Sequence, residues 1–160
     1  MIPINQLVIP AARKGELEVL QELIRQHADL NVRDEKGYTA LIIACYNNQY
    51  EAARLLLEND AGVNEADYGG NTALMGAAFK GYTDIASLLI EHGADLNLRH
   101  GNGGTALMFA SMFGRNEVVK LLLKHRADRT LVDNRGFSAL DLARIQDNQE
   151  AMTLLQQAMK

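Results

Sequence analysis

The chain repeats itself with a period of 33 residues, and this periodicity limits the possible folds more than any other feature. The stretch 67–98 aligns with similar stretches one period upstream and one period downstream, and weaker copies lie near both ends of the chain. Self-similarity at a fixed period of this length is typical of stacked arrays, in which each repeat contacts only its neighbours. One repeat is therefore the structural unit from which the fold is built.

The central repeat has the pattern of two short, tightly connected helices. Thr72 is a candidate N-cap, because its hydroxyl can accept a hydrogen bond from a free backbone N–H of the first turn. Apolar residues at helical spacing then mark one buried face in each helix, and Gly81 and Gly93 are expected to end the two helices in the left-handed conformation. Isolated helices below ~12 residues are marginal in water. Stability must therefore come from stacking between repeats.

Aligning the copies produces columns that fit such stacking. One column contains only alanine and another only leucine. Small side chains let neighbouring helices approach closely, and leucine supplies a continuous apolar spine. The members of the two columns are Ala11, Ala44, Ala77, Ala110 and Ala143, and Leu23, Leu56, Leu89, Leu122 and Leu155.

The column that contains Gly93 holds other residue types in the remaining repeats. Its other members are His27, Asp60, Arg126 and Met159. A non-glycine residue in the left-handed conformation costs on the order of 1 kcal/mol. We therefore expect some of these helix ends to terminate differently.

The pattern D-x-x-G-x-T-x-L-x-x-A-A-x-x-G, followed by LL-x-x-x-G-A-D-x-N, resembles the ankyrin repeat and covers nearly the whole chain as five copies. The resemblance implies an all-α fold, an ankyrin-repeat solenoid of stacked helix-turn-helix units with protruding turn or hairpin fingers. We expect one domain over 1–160, with an N-terminal cap repeat at about 1–33, full repeats at 34–66, 67–99 and 100–132, and a C-terminal cap repeat at 133–160. Arg144 and Gln156 place polar groups where a sixth repeat would pack, so the array is expected to be complete.

Composition excludes several classes of protein. The net charge of −4 and the lack of a basic run argue against nucleic-acid binding. No apolar stretch approaches the ~18 residues of a membrane span. Cys45 is the only cysteine, which excludes an internal disulfide and favours a reducing compartment. We therefore expect a cytoplasmic protein, with export as the alternative if a leader has been removed.

The sequence contains no motif typical of catalysis, cofactor binding or metal binding. The chain has no glycine-rich phosphate loop, nucleophile elbow or metal-ligand spacing, so we predict no catalytic residue, no cofactor, no metal and no enzymatic activity. The four histidines are scattered near helix ends and turns, and they fit solvated helix ends better than a metal site. They are His27, His92, His100 and His125. Asp34, Asp67 and Asp133 recur with the period, so turn capping explains them better than acid/base catalysis.

Large side chains gather at positions that, by the resemblance, lie on the concave side of the first helices and on the fingers. Contiguous exposed aromatic and methionine surface is a usual mark of a protein-binding site. The alternative is that these side chains only cover the cleft between neighbouring first helices. The predicted partner-binding residues are Tyr38, Tyr46, Tyr68, Phe79, Arg99, Met112, Phe113 and Arg135.

The resemblance implies a monomeric, non-enzymatic module that binds a partner protein through its concave groove and finger turns. A second possibility is a dedicated accessory, inhibitory or immunity protein for one bacterial enzyme or toxin, because the TALM units at 72–75 and 105–108 resemble those of bacterial members. An enzyme with an unfamiliar site is the third class. The fold itself does not name the partner.

Overall fold

The computed structural model describes residues 2–157 and shows the all-α array of helix pairs that the sequence predicts. In this part of the chain, ten α-helices follow a short 3-10 turn at Ile4–Leu7. Within the same residues the only β-type pairings are isolated bridges at the bases of fingers, such as Ala66 with Thr72. The helices are α1 (Val8–Lys14), α2 (Leu17–Arg25), α3 (Ala40–Tyr46), α4 (Tyr50–Glu58), α5 (Ala73–Lys80), α6 (Thr83–Glu91), α7 (Ala106–Met112), α8 (Asn116–Lys124), α9 (Ala139–Ile145) and α10 (Gln149–Gln157).

The helices form two layers. The odd-numbered helices pack side by side in one layer, from α1 to α9, and the even-numbered helices form the second. Each odd-numbered helix also packs against the even-numbered helix that follows it. Contacts therefore run mainly within one repeat and to the next, as in a solenoid.

Residues with hydroxyl side chains are the N-caps of four of the five odd-numbered helices. The Thr72 Oγ1 atom accepts a hydrogen bond from the Met75 backbone N–H at 3.2 Å, which confirms the predicted N-cap, and Thr39 and Thr105 act in the same way. Ser138 caps α9, and its own backbone N–H donates to the Asp141 carboxylate, which lowers the pKa of that carboxyl. Free N–H groups at these helix starts are thus satisfied locally.

The two sequence columns form the centre of the core. Every alanine of the first column and every leucine of the second is buried. Cys45 also lies in this core, where burial raises the pKa of its thiol to about 12. A thiol with that pKa stays protonated near neutral pH and serves packing rather than nucleophilic chemistry.

The expectation that non-glycine helix ends would terminate differently is wrong. His27, Asp60 and Arg126 all adopt the left-handed conformation, with φ of 61°, 66° and 66°. The reason is the residue that follows each of them, a buried alanine whose backbone N–H donates to the carbonyl five positions earlier. This Schellman geometry and its burial offset the strain of the left-handed residue. Met159, from the same column, lies outside the described residues.

Two series of hydrogen bonds link neighbouring repeats. In the first, an asparagine Oδ1 atom accepts from a backbone N–H one repeat later, in the pairs Asn31 with Gly62 (2.8 Å), Asn64 with Asp95 (2.7 Å) and Asn97 with Asp128 (2.8 Å). In the second, a backbone N–H at one finger tip donates to a carbonyl of the preceding finger, in the pairs Tyr68 to Lys36 (3.1 Å), Gly101 to Gly69 (2.9 Å) and Asn134 to Asn102 (2.9 Å). Both series hold the fingers and loops in register with the helix layers.

The last repeat presents polar side chains on its outer face. Arg144 on α9 and Gln156 on α10 are exposed. Replacing them together, as Arg144→Ala and Gln156→Leu, is expected to make this end apolar and to promote association without unfolding, because exposed apolar patches drive assembly. Light scattering at increasing protein concentration measures the change. A monomer mass that stays constant, with unchanged helicity, would contradict the capping role.

Candidate functional site

Three aromatic side chains form a continuous row along the odd-numbered helices. The rings of Tyr46 and Phe79 stack with centroids 6.4 Å apart, and Phe79 meets Phe113 edge to face at 4.7 Å. Such pairs add to the stability that burial supplies. The three side chains are nonetheless 44%, 36% and 43% exposed, respectively. We call this set the aromatic row.

Neighbours of the row complete a partly apolar surface. Met112, at the end of α7, is half-buried against the core. The Lys80 Nζ atom lies 4.6 Å from the centroid of the Tyr46 ring, in a cation–π contact. The surface therefore combines apolar area with ring faces that attract cations.

A cavity of about 360 Å³ lies beside the row, at the base of the fingers formed by residues 34–38 and 67–71. Its aromatic walls come from Tyr38, Tyr46, Phe79 and Phe109. Ile42, Ile43 and Met75 add aliphatic surface. A mostly apolar cavity with a few polar groups is the usual form of a ligand or side-chain pocket, and this volume lies in the typical range of ~300 to 1,000 Å³.

Gly76, in the middle of α5, lines this cavity. A helix-interior glycine is less favourable than alanine by about 1 kcal/mol, and Gly76 is not among the residues with positive φ, so its backbone does not require glycine. A Cβ atom at this position would lie 3.6 Å from Tyr46 Cδ2, which is ordinary van der Waals contact. The next repeats place Phe109 and Leu142 in the same column, and the preceding repeat places Ile43 there. The cavity therefore lies at the one position of this column in α3, α5, α7 and α9 that has no side chain.

Among the described residues that line this cavity, Asp67 is the only one with a carboxylate side chain. It is 7% exposed. Its Oδ1 atom accepts from the backbone N–H groups of Gly69 (2.8 Å) and Asn71 (2.9 Å), and its Oδ2 atom accepts from Asn71 Nδ2 (3.1 Å). This confirms the predicted turn-capping role. Across residues 2–157, no lysine, arginine or histidine forms an ion pair with it.

The other fingers vary this arrangement. Asp34 and Asp133 accept backbone N–H bonds in the same way, and His100 replaces the carboxylate with Nδ1, which accepts from the Asn102 N–H at 3.0 Å. In the last finger, the Arg135 guanidinium pairs with Asp133 Oδ2 at 3.1 Å and lies 4.9 Å from the Phe137 ring centroid. That finger thus satisfies its own carboxylate with an arginine beside an aromatic ring.

The predicted site residues fall into two groups. Tyr46, Phe79 and Phe113 meet in the aromatic row, with Met112 next to it and Tyr38 on the cavity wall. Tyr68, 74% exposed, and Arg135 lie on fingers. Arg99 is exposed near the loop after α8, where the pKa of Asp128 is lowered chiefly by the Thr130 hydroxyl and in smaller part by Arg129 and Arg99. The structure therefore brings five of the eight together and keeps Tyr68, Arg99 and Arg135 outside the cluster.

Sequence reasoning missed the cavity and three residues that define it, Asp67, Gly76 and Phe109. One signal was present, because Gly76 interrupts a column of large apolar residues.

As for metals, the described residues contain no group of three or more His, Cys, Asp or Glu side chains with the geometry to hold an ion. Within residues 2–157, none of the helices has the length and apolar character needed to span a bilayer.

Two profiles of known protein families together match most of the chain. A profile described as "Ankyrin repeats (3 copies)" matches residues 8–100. A second, described as "Ankyrin repeats (many copies)", matches residues 89–143. No curated protein matches the chain.

Proposed function

Because the chain belongs to the ankyrin-repeat family, we propose that it is a binding module that holds a partner protein on the aromatic row and the adjacent fingers, with its five predicted repeats acting as one domain. Members of this family are generally protein–protein interaction modules and are typically non-enzymatic. The family does not specify the partner or the surface used.

The aromatic row is the observation that supports this surface. Its three rings expose much of their area although each packs against a neighbouring ring. Exposed aromatic groups beside polar fingers match the composition of protein interfaces, whose energetic centres are enriched in Tyr, Trp and Arg. A specific interface here is expected to bury about 1,200 to 2,000 Å² in total.

Hydrogen exchange on the captured complex tests the proposed surface. The immobilised protein is used to capture a partner from a lysate of the source cells, and amide exchange is then compared between the free and bound protein. We expect slower exchange at the C-terminal ends of α3, α5 and α7 and in the fingers at residues 34–38, 67–71 and 100–104, because bound surface excludes water.

The even-numbered helices provide the internal control. Amides of α4, α6 and α8 are expected to exchange at unchanged rates relative to the free protein. Protection confined to these helices would place the interface on the opposite layer and would overturn the proposed surface.

A further inference from the structure

The geometry points to the Gly76 cavity as a receptor for one arginine side chain of the partner, with the guanidinium beside Asp67 and the aliphatic stem along Met75 and the aromatic walls. This inference rests on the proposed function, since the cavity opens beside the aromatic row. The occupant follows from three features of the site: its charge, its rings and its missing side chain.

Charge is the first feature. Asp67 is almost fully buried, and within residues 2–157 it has no cationic partner. Its Oδ2 atom accepts a single hydrogen bond in the described structure, from Asn71 Nδ2. A carboxylate offers about four acceptor positions, so Oδ2 has capacity for a further donor. A buried carboxylate gains most from a charge-assisted bond with a cation.

The last finger shows how this chain satisfies the equivalent carboxylate. Asp133 stands two periods after Asp67, and it pairs with Arg135, whose guanidinium also lies over the Phe137 ring. In the third repeat the position of Arg135 is occupied by Gly69, which has no side chain. Asp67 therefore lacks the arginine that Asp133 has, and the open space beside it is walled by aromatic rings.

The rings favour arginine over an apolar anchor. Tyr46 already attracts a cation on one face, where Lys80 lies at 4.6 Å. Arginine combines a planar guanidinium that stacks on aromatic faces with two-point binding to a carboxylate, whereas lysine presents a compact, strongly hydrated charge. Among residues 2–157, no lysine, arginine or histidine lines the cavity to compete for this place.

The missing side chain at position 76 leaves the space that the arginine side chain would occupy. Leucine at position 142 and phenylalanine at position 109 occupy the same column in later repeats. Gly76→Leu should therefore close the cavity with a residue that the repeat already accepts, and Gly76→Ala should leave most of it open because the added Cβ meets only Tyr46 within 4 Å. Neither change strains the backbone, since Gly76 does not have positive φ.

The test uses the full chain labelled with ¹⁵N and three small probes, N-acetyl-arginine amide, N-acetyl-citrulline amide and N-acetyl-leucine amide. Citrulline has the shape of arginine without its charge. We expect the arginine probe to shift the amide signals of Asn71 and Gly76 and to bind at least about fivefold more tightly than the citrulline probe. Gly76→Ala should retain this binding, and Gly76→Leu should abolish it while thermal unfolding confirms that the variant is folded.

Asp67→Asn separates charge from shape. The amide Oδ1 atom can still accept from the backbone N–H groups of Gly69 and Asn71, and the Asn71 side chain can turn its own oxygen toward the new Nδ2 donor, so the turn is kept. The preference for arginine over citrulline is expected to disappear. Equal binding of arginine and citrulline by the unchanged protein would overturn the inference. Tighter binding of the leucine probe would do the same and make the cavity an apolar pocket.

Failure of this inference can be told apart from failure of the proposed function. If a captured partner protects the aromatic row equally in the unchanged protein and in Gly76→Leu, the binding surface stands and the arginine receptor is overturned. If the arginine probe binds in the cavity while no partner protects the row, the receptor stands and the proposed surface falls.

Discussion

Leu89→Ala is expected to lower the free energy of unfolding by about 2–5 kcal/mol. Leu89 is fully buried in α6, a helix that packs against α4 on one side and α8 on the other. Truncation removes apolar burial and leaves a cavity, and the occupied repeats on both sides limit how far the structure can relax into it. Urea unfolding followed by circular dichroism measures the loss.

Ile145→Ala provides a matched apolar control. Ile145 is 59% exposed at the end of α9, so its truncation removes little buried surface, and the expected change is within about 0.5 kcal/mol. Equal urea midpoints for the two variants would refute the view that the leucine column is the spine of the array.

Tyr46→Ala combined with Phe79→Ala is expected to weaken partner capture far more than tenfold. An aromatic anchor at an interface centre commonly contributes 2 kcal/mol or more, and each ~1.4 kcal/mol corresponds to a factor of ten in affinity. The two side chains lie at equivalent positions of adjacent repeats and stack on one another. Quantitative capture from the lysate, followed by a binding isotherm with the purified partner, measures the loss.

Arg54→Ala combined with Lys120→Ala is the control for this experiment. Both side chains lie on even-numbered helices, where Arg54 pairs with Glu58 and Lys120 with Glu117 on the exposed surface. Such pairs contribute at most about 1 kcal/mol to stability, and affinity is expected to stay unchanged.

Undiminished capture by the folded Tyr46/Phe79 variant would move the site to the fingers or the opposite layer. A drop in thermal stability that parallels the loss of capture would favour the alternative in which the rings mainly cover the cleft between helices.

The period predicted most of the fold because local signals recur in every copy. Thr72 caps its helix, and Gly81 and Gly93 adopt positive φ, as their sequence contexts predict. The left-handed conformation of His27 did not follow from its residue type, because it depends on a buried alanine and a hydrogen bond one residue later. The residue type at such a position predicts the backbone strain of the left-handed conformation. It does not predict the neighbouring interactions that offset this strain.

The candidate site was predictable only in part. The positions of Tyr46, Phe79 and Phe113 follow from the alignment of repeats, and the structure joins them into one row. The cavity depends on side chains from three repeats that converge in space, with Gly76 as the only local trace of it. The missing side chain at position 76 is visible in the aligned repeats, whereas the burial of Asp67 depends on the folded finger.

The finger-tip hydrogen bonds also determine how the array carries mechanical load. Each of the two central junctions between repeats carries both a finger-tip backbone bond, such as Gly101 to Gly69, and an asparagine bond, such as Asn64 to Asp95. Each outer junction carries one of the two, so the links stand in series along the array. A pulling force along the solenoid axis acts on every junction equally, and the weakest junction yields first. Because contacts run mainly within one repeat and to the next, one repeat is expected to unravel while the others keep their spacing. Under load, the array is therefore expected to lengthen one repeat at a time.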